Sequence, residues 1–302
     1  MKKHRLCLVT AFVCALLFTA CEKPLNSSGD APASETANLV LQVKGFNVIP
    51  FAVSRAAGQV ADYCSRLNFV IYQGGKKVKA VNQDVSDKDF GHVAFTLEPG
   101  SYQVLILAHS ANGNPSLSSP EKVQFTNANG YTDTFYYYDE VTVADGTNAE
   151  EIVLNRVTSM FRFITKDEVP AGVERIRFYY TGGSGALNAV TGFGCVSSQQ
   201  VVFFDVTDEM RGKPLTLEAY TIPKAHTGAL KIQISAYDSN SSVLREKELE
   251  DVPIEINKIT EYTGYFFTDN GDDTPHNPVE DGQHGYSIRL HTEWDGTLQG
   301  TF

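Results

Sequence analysis

Leu230-Lys231-Ile232-Gln233-Ile234-Ser235-Ala236-Tyr237 alternates apolar and polar side chains almost without a break. Successive residues of a strand point to opposite faces, so this period of two predicts a strand with one face on a core and one in water. The pattern recurs to either side. Val93, Phe95 and Leu97 share one face, as do Ile176, Phe178 and Tyr180, and then Val252, Ile254 and Ile256. Further strands are expected at Leu39–Val43, Leu67–Tyr72, Tyr102–His109, Phe135–Tyr138, Ile152–Leu154, Leu215–Ile222, Tyr262–Thr268 and Tyr286–His291. Helical spacing is confined to Val60, Cys64 and Leu67, enough for a turn or two. Many short strands divided by turn residues, with no repeat of 20–50 residues, predict an all-β chain of two β-sandwiches in tandem.

The boundary between the sandwiches is placed at 156/157. There the acidic loop from Asp145 to Glu151 and the strand Ile152–Leu154 give way to a new strand set. Residues 38–156 form the first expected domain and 157–302 the second. Ahead of them, Pro24 to Thr36 holds Asn26, Ser27, Ser28, Gly29, Asp30 and Pro32 with almost nothing apolar to bury. That composition predicts a tether over 21–37.

The first 20 residues have another logic. Lys2, Lys3 and Arg5 precede an apolar run from Leu6 to Phe18, and Thr19-Ala20 leads directly into Cys21. The run is too short to span a bilayer, which needs about 20 apolar residues. Charged start, apolar core and a small-small-Cys close resemble a bacterial lipoprotein signal. The resemblance implies cleavage between Ala20 and Cys21 and a covalent lipid on Cys21. Losing three of the 25 basic residues and none of the 36 acidic ones takes the formal charge from −11 to −14. So acidic a chain is not built for nucleic acid or for an anionic membrane surface. Attachment would fall to acyl chains, each buried methylene contributing about 0.8 kcal/mol. Beyond Cys7, Cys14 and Cys21 only Cys64 and Cys195 remain, so stability is expected from cores and not from disulfides.

Catalytic motifs are missing from the sequence. It contains no HExxH, no GxSxG, no P-loop and no dinucleotide fingerprint. Gly182-Gly183-Ser184-Gly185 lacks the following helix that a phosphate cradle requires, and is read as a flexible hairpin. The histidines show no metal-ligand spacing, so no metal, cofactor or small-molecule substrate is expected. Asp269-Asn270-Gly271-Asp272-Asp273 offers hard oxygen ligands but not the EF-hand order, and is read as a solvated acidic loop. Phe135-Tyr136-Tyr137-Tyr138 would suit sugar stacking, yet strand geometry splits it two and two, half to the core. Trp294 is the sole tryptophan, assigned first to a core and second to a subunit contact.

One ordered set of segments matches a family. Leu67-Asn68-Phe69-Val70-Ile71-Tyr72 and Gly75-Lys76-Lys77-Val78 are followed by Leu97-Glu98-Pro99-Gly100-Ser101-Tyr102 and Leu107-Ala108-His109. Phe135-Tyr136, Ile152-Val153-Leu154-Asn155-Arg156 and Phe161-Arg162-Phe163-Ile164 come next. Together with the Cys21 signal, this order resembles the FimB/Mfa2 family of fimbrial anchor subunits from Bacteroidales, over roughly 39–290. The resemblance implies two transthyretin-like sandwiches on a non-enzymatic, lipid-anchored lipoprotein of the outer-membrane surface that docks the first fimbrial stalk subunit by strand-based assembly. In that family stalk subunits are cut after a basic residue, and Arg55 in Val53-Ser54-Arg55-Ala56-Ala57-Gly58 suits such a cut. A cleaved stalk or tip subunit therefore stays open beside the anchor, as does a glycan-binding surface lipoprotein. Tyr286, Ile288 and Leu290 alternate with Ser287, Arg289 and His291, the pattern of a strand that fills a groove, and Trp294 would plug its end. The same residues equally suit this domain's own last strand.

Overall fold

The computed structural model describes residues 37–47, 59–144, 146 and 148–268, and the backbone of 287–291. Thr36–Phe302 form one compact unit. The first half supplies β1 (Leu39–Asn47), β2 (Arg66–Gln73), β3 (Lys76–Asp84), β4 (His92–Phe95), β5 (Gly100–His109), β6 (Ser116–Ser119), β7 (Lys122–Gln124), β8 (Phe135–Val143) and β9 (Asn148–Arg156). The second supplies β10 (Ser159–Thr165), β11 (Arg175–Thr181), β12 (Ala186–Asn188), β13 (Phe193–Gly194), β14 (Gln200–Asp205), β15 (Thr216–Thr221), β16 (Thr227–Tyr237), β17 (Val243–Glu255), β18 (Ile259–Gly264) and β19 (Ser287–His291). The fold is all-β among the described residues, apart from one 3₁₀ turn at Val60–Asp62. Val60 and Cys64 are near that turn, whereas Leu67 lies in β2.

In the first half the strands form one sheet in the order β3-β2-β5-β8-β9-β1-β4. Its middle is almost split. β8 and β9 are nine residues each but pair only at Phe135–Arg156 and Tyr136–Asn155. Beyond that corner the sheet folds over, so that β4-β1-β9 faces β3-β2-β5-β8. Leu39, Leu41, Ile152 and Leu154 from one layer meet Leu67, Phe69, Val104 and Ile106 from the other, all buried. Apolar alternation on both layers drives this closure, each fully buried large side chain contributing about 1.5–3 kcal/mol.

The second half repeats the arrangement. β14-β11-β16-β17 faces β15-β10-β18-β19. The strand orders correspond except that β19 has no counterpart among the described residues of the first half, and in each half the first strand lies parallel to a late one, β1 to β9 and β10 to β18. The shared interior is aromatic. Phe178 meets Phe163 edge-on at 6.0 Å and Phe204 at 5.0 Å, and Phe163 meets Phe266 at 5.6 Å. Such edge-to-face pairs each add about 0.5–1.5 kcal/mol to the area they bury.

A third layer joins the halves. β6 and β7 pair with β12 and β13 in a small sheet, β13-β12-β7-β6, so β7 of the first half hydrogen-bonds β12 of the second. This sheet covers the outer face of β2, β5 and β8. Leu117, Val123, Phe125 and Leu187 pack on Val70, Tyr72, Leu105 and Leu107, and the Tyr72 hydroxyl donates to the Leu117 carbonyl at 3.0 Å. Both faces of β2 and β5 are therefore covered, which explains their nearly continuous apolar sequence.

One sequence expectation changes here. Gly182–Gly185 is not a flexible hairpin: Gly183, Ser184 and Gly185 are buried, and the Ser184 N–H donates to the Ile222 carbonyl at 3.0 Å. Gly182 has φ +101° and lies against the Ala229 carbonyl, so a side chain is excluded on both counts. The tyrosine run splits two and two, as strand geometry predicts. Phe135 and Tyr137 pack on the sandwich core, while Tyr136 and Tyr138 pack under the third layer.

Candidate assembly site

The junction between the halves is built on one arginine. Arg156 ends β9, and its side chain is 6% exposed. Its Nε donates to both carboxylate oxygens of Asp133, at 2.9 and 3.1 Å, and Nη2 donates to Asp133 Oδ2 at 2.9 Å. Nη1 donates to Asn257 Oδ1 of the second half at 2.7 Å, and the guanidinium stacks 4.6 Å over the Phe135 ring. Planar bidentate pairing of this kind is what arginine supplies and lysine cannot. Thr158 Oγ1 donates to Asp133 as well, and the Asn257 N–H donates to the Thr158 carbonyl at 2.9 Å. Asn257 takes φ +62°, a turn that aims β18 away from the junction.

β18 runs outward from there, between β10 and β19. The Ser287–His291 backbone pairs antiparallel with it, Ile288 opposite Tyr262, Leu290 opposite Thr260 and His291 opposite Ile259. Tyr262 and Thr260 are both buried. This strand is thus paired within its own chain, at the edge of β15-β10-β18-β19. Of the other sequence-predicted site residues, Ala20, Cys21, Arg55, Tyr286 and Trp294 lie outside the described residues, as does the Asp269–Asp273 acidic loop.

The far end of β18 is held by a buried carboxylate. Asp167 accepts from the backbone N–H groups of Phe266 at 3.0 Å, Phe267 at 2.6 Å and Thr268 at 2.8 Å, and from the Thr268 hydroxyl at 3.1 Å. These charge-assisted bonds turn the chain sharply after the strand. On the sheet's outer face Arg162 of β10 bridges Glu218 of β15 at 2.8 Å and Glu261 of β18 at 3.5 Å.

Other edges discourage pairing. β3 carries Lys76, Lys77 and Lys79, and β17 carries Arg245, Glu246, Lys247, Glu248 and Glu250, the charged dressing that blocks strand addition.

The described residues hold no cluster of three or more His, Cys, Asp or Glu able to bind a metal. Cys64 and Cys195 are both free thiols, Cys64 buried and Cys195 exposed. Burial pushes Cys64 up to about 12, against the contrary pull of a backbone hydrogen bond, which leaves it a poor nucleophile. His109 is fully buried and fixed by two partners: Nε2–H donates to Asn68 Oδ1 at 3.0 Å, and Nδ1 accepts the Ala111 N–H at 3.2 Å. Burial first, and the nearby Arg66 charge second, hold it down at about 4. A neutral ring locked in a core is a packing element, with no reacting group beside it.

A family model matches residues 32–297, nearly the whole chain. The chain belongs to the family of unknown function DUF6562. No curated protein matches its sequence. Among solved structures, this DUF6562 chain is similar to the fimbrial anchor protein Mfa2 from Porphyromonas gingivalis, at 10% identity and a TM-score of 0.43. That match covers 84% of this chain and 95% of the other. A Bacteroides eggerthii protein assigned to cell adhesion gives 12% identity and a TM-score of 0.46, covering 85% and 95%. A Bacteroides thetaiotaomicron protein assigned to polysaccharide binding gives 10% and 0.46, covering 87% and 98%. The family that the ordered sequence segments resemble is therefore among the structural neighbours of this DUF6562 member.

Junction and clamp residues were not legible in advance. Arg156 stood in the ordered segments without a role, because Asp133 is 23 residues away and Asn257 is 101 away.

Proposed function

We propose that this chain is a non-enzymatic outer-membrane lipoprotein that anchors a fimbria and docks its first stalk subunit through strand pairing. The observation that carries the reading is the lipoprotein-type close at Thr19-Ala20-Cys21, set ahead of the ordered segments of the anchor family. Acyl chains on Cys21 would hold the protein to the membrane, residues 21–37 would serve as tether, and 38–156 and 157–302 would serve as two sandwich domains. Separate cores in the two halves support that division. Sheet edges with free backbone groups are what strand-based assembly requires, and no cofactor is needed for it.

Mass spectrometry of the native protein tests the reading. The expected species is an intact chain beginning at an acylated Cys21. A chain beginning at Ala56 would instead make it a stalk or tip subunit cut after Arg55. Cys21→Ala is expected to release the protein and its fimbriae into the medium, and unchanged retention would overturn the lipid mechanism.

A further inference from the structure

Several edges of the two sandwiches are closed to a further strand. β3 carries its lysines and β17 its run of charges. At β4 the His92 N–H donates to the Asp89 carbonyl at 2.8 Å, and Gln83 Nε2 donates to the His92 carbonyl at 2.8 Å. β14 differs. It is the outer strand of β14-β11-β16-β17, and Gln200-Val201-Val202-Phe203-Phe204 carries no charge. Phe203 is 55% exposed on it. The Val206 N–H turns inward to the Glu174 carbonyl at 2.9 Å, whereas the Val201 N–H turns outward to Asn127 Oδ1 at 3.0 Å. Inward and outward residues alternate along an antiparallel ladder, so Phe203 and Asp205 also direct N–H and C=O away from β11. Among the described residues, no hydrogen bond reaches those four backbone groups.

The open stretch fits a second copy of itself. Asn127 closes the edge at Val201 and, through Nδ2, at the Gln199 carbonyl at 3.2 Å. Beyond Asp205 the strand ends. Antiparallel self-pairing that uses both open residues, and not the closed Val201, has one register. Phe203 lies opposite Asp205 of the other copy, and Asp205 opposite its Phe203, which makes four backbone hydrogen bonds about a two-fold axis. Phe204 then faces its own copy across the axis as a close pair without hydrogen bonds, about 4.5 Å between Cα atoms. Phe204 already meets Phe178 edge-on at 5.0 Å, at the rim of the aromatic interior, so this pair would join two cores. Charge agrees. The chain is acidic, at −11, yet Asp205 is neutralised at home. Arg175 Nε donates to it at 2.8 Å, and the same guanidinium stacks 5.5 Å over Phe203. No like charges meet across the axis in this register, whereas β3 paired with itself would set lysine against lysine.

We infer that β14 is the pairing edge for a second copy of this chain, which joins it antiparallel through Phe203–Asp205 as a two-fold dimer. The β14-β11-β16-β17 layers of the two copies then run on as one sheet, from β17 of one to β17 of the other. The Asn127 side chain sets the register by closing one end of the edge. This goes beyond the fimbrial reading and holds whether or not Cys21 carries lipid.

Sedimentation velocity on the full chain in detergent tests this. A monomer–dimer equilibrium is expected as the concentration rises to about 100 μM. Asp205→Pro removes an outward N–H and no internal bond, a change that edge strands tolerate. By symmetry it deletes two of the four bonds, and should weaken the dimer by about tenfold or more with the thermal melt unchanged. Asp205→Asn keeps the N–H and should keep the dimer. Cross-linking in a Cys195→Ser background reads the register. Phe204→Cys should give a disulfide-linked dimer, while Val202→Cys, about 14 Å from its copy, should not. If Asp205→Pro lowers the melt, this cross-linking pair decides alone. A monomer at every concentration would overturn the inference, including the case in which residues outside the described ones cover β14. A dimer indifferent to Asp205→Pro, or one linked through Val202→Cys instead of Phe204→Cys, would overturn it as well.

Discussion

Acidification should unfold this protein partly through one imidazole. In the fold His109 is neutral, because Nδ1 accepts the Ala111 N–H and a proton there would face another donor. Asn68 cannot turn to help. Its amide nitrogen donates to Asn82 Oδ1 at 2.8 Å and Asn114 Oδ1 at 3.0 Å, which leaves its oxygen for the ring. An unfolded histidine titrates near 6.5, whereas this one is held at about 4. The unfolded chain therefore binds more protons between those values, and stability falls as pH falls. The contribution is intact above pH 6.5 and lost by about pH 4. The gap corresponds to about 3.4 kcal/mol at 1.36 kcal/mol per pH unit. Between pH 7 and 4.5 the loss is about 2.4 kcal/mol. Urea denaturation at half-unit pH steps measures it, with His109→Asn as the reference because Asn Oδ1 can take the Ala111 N–H and does not titrate. Carboxylates contribute equally to both chains, so the difference between the two pH profiles isolates the ring. Profiles that run parallel to within about 0.5 kcal/mol would refute the reasoning.

Four other outcomes are expected. Arg156→Met keeps the stem but strands the Asp133 carboxylate, and should cost about 3–5 kcal/mol in a thermal or urea melt; a loss below about 1 kcal/mol would mean that the junction carries no weight. Gly182→Ala should destabilise by at least about 2 kcal/mol, since φ +101° and the Ala229 carbonyl both oppose a methyl group. Asp167→Asn should shorten the life of the turn at Phe266–Thr268, read as faster amide exchange there with the β2 amides unaffected. Cys195 should react with a thiol reagent in the folded protein while Cys64 reacts only on unfolding, so equal rates would contradict the burial of Cys64.

Much of the architecture could be read from residue order because most strands cover one core with one face. Leu230–Tyr237 is the clearest, and β16 extends it by three residues on the N-terminal side. Reading failed where that condition failed. β17 begins Val243-Leu244-Arg245-Glu246-Lys247-Glu248, charged because it is an edge, and only its last part alternated visibly. β14 was hidden by its exposed Phe203, over which Arg175 stacks at 5.5 Å. The third layer escaped because β6, β7, β12 and β13 run two to four residues, too short for any period. Its presence was written only indirectly, in the unbroken apolar runs of β2 and β5. His109 and Arg156 were visible as residues, but their partners are brought in by tertiary pairing, which local sequence does not encode.

The position of β1 bears on how the molecule answers to force. β1 lies inside its layer, flanked by β9 in parallel and β4 antiparallel, and β10 is flanked in the same way by β18 and β15. A pull on the chain ahead of Leu39 acts along the axis of β1, so its ladders on both sides are loaded in shear and must give way together. An edge strand pulled from its end peels one bond at a time at far lower load. Resistance to such a pull is set by the unfolding rate and not by equilibrium stability. The β7–β12 pairing adds a second path for the load, in parallel with the Val157-Thr158 link. Tension entering the first sandwich thus passes to the second through a sheet as well as through a single covalent thread.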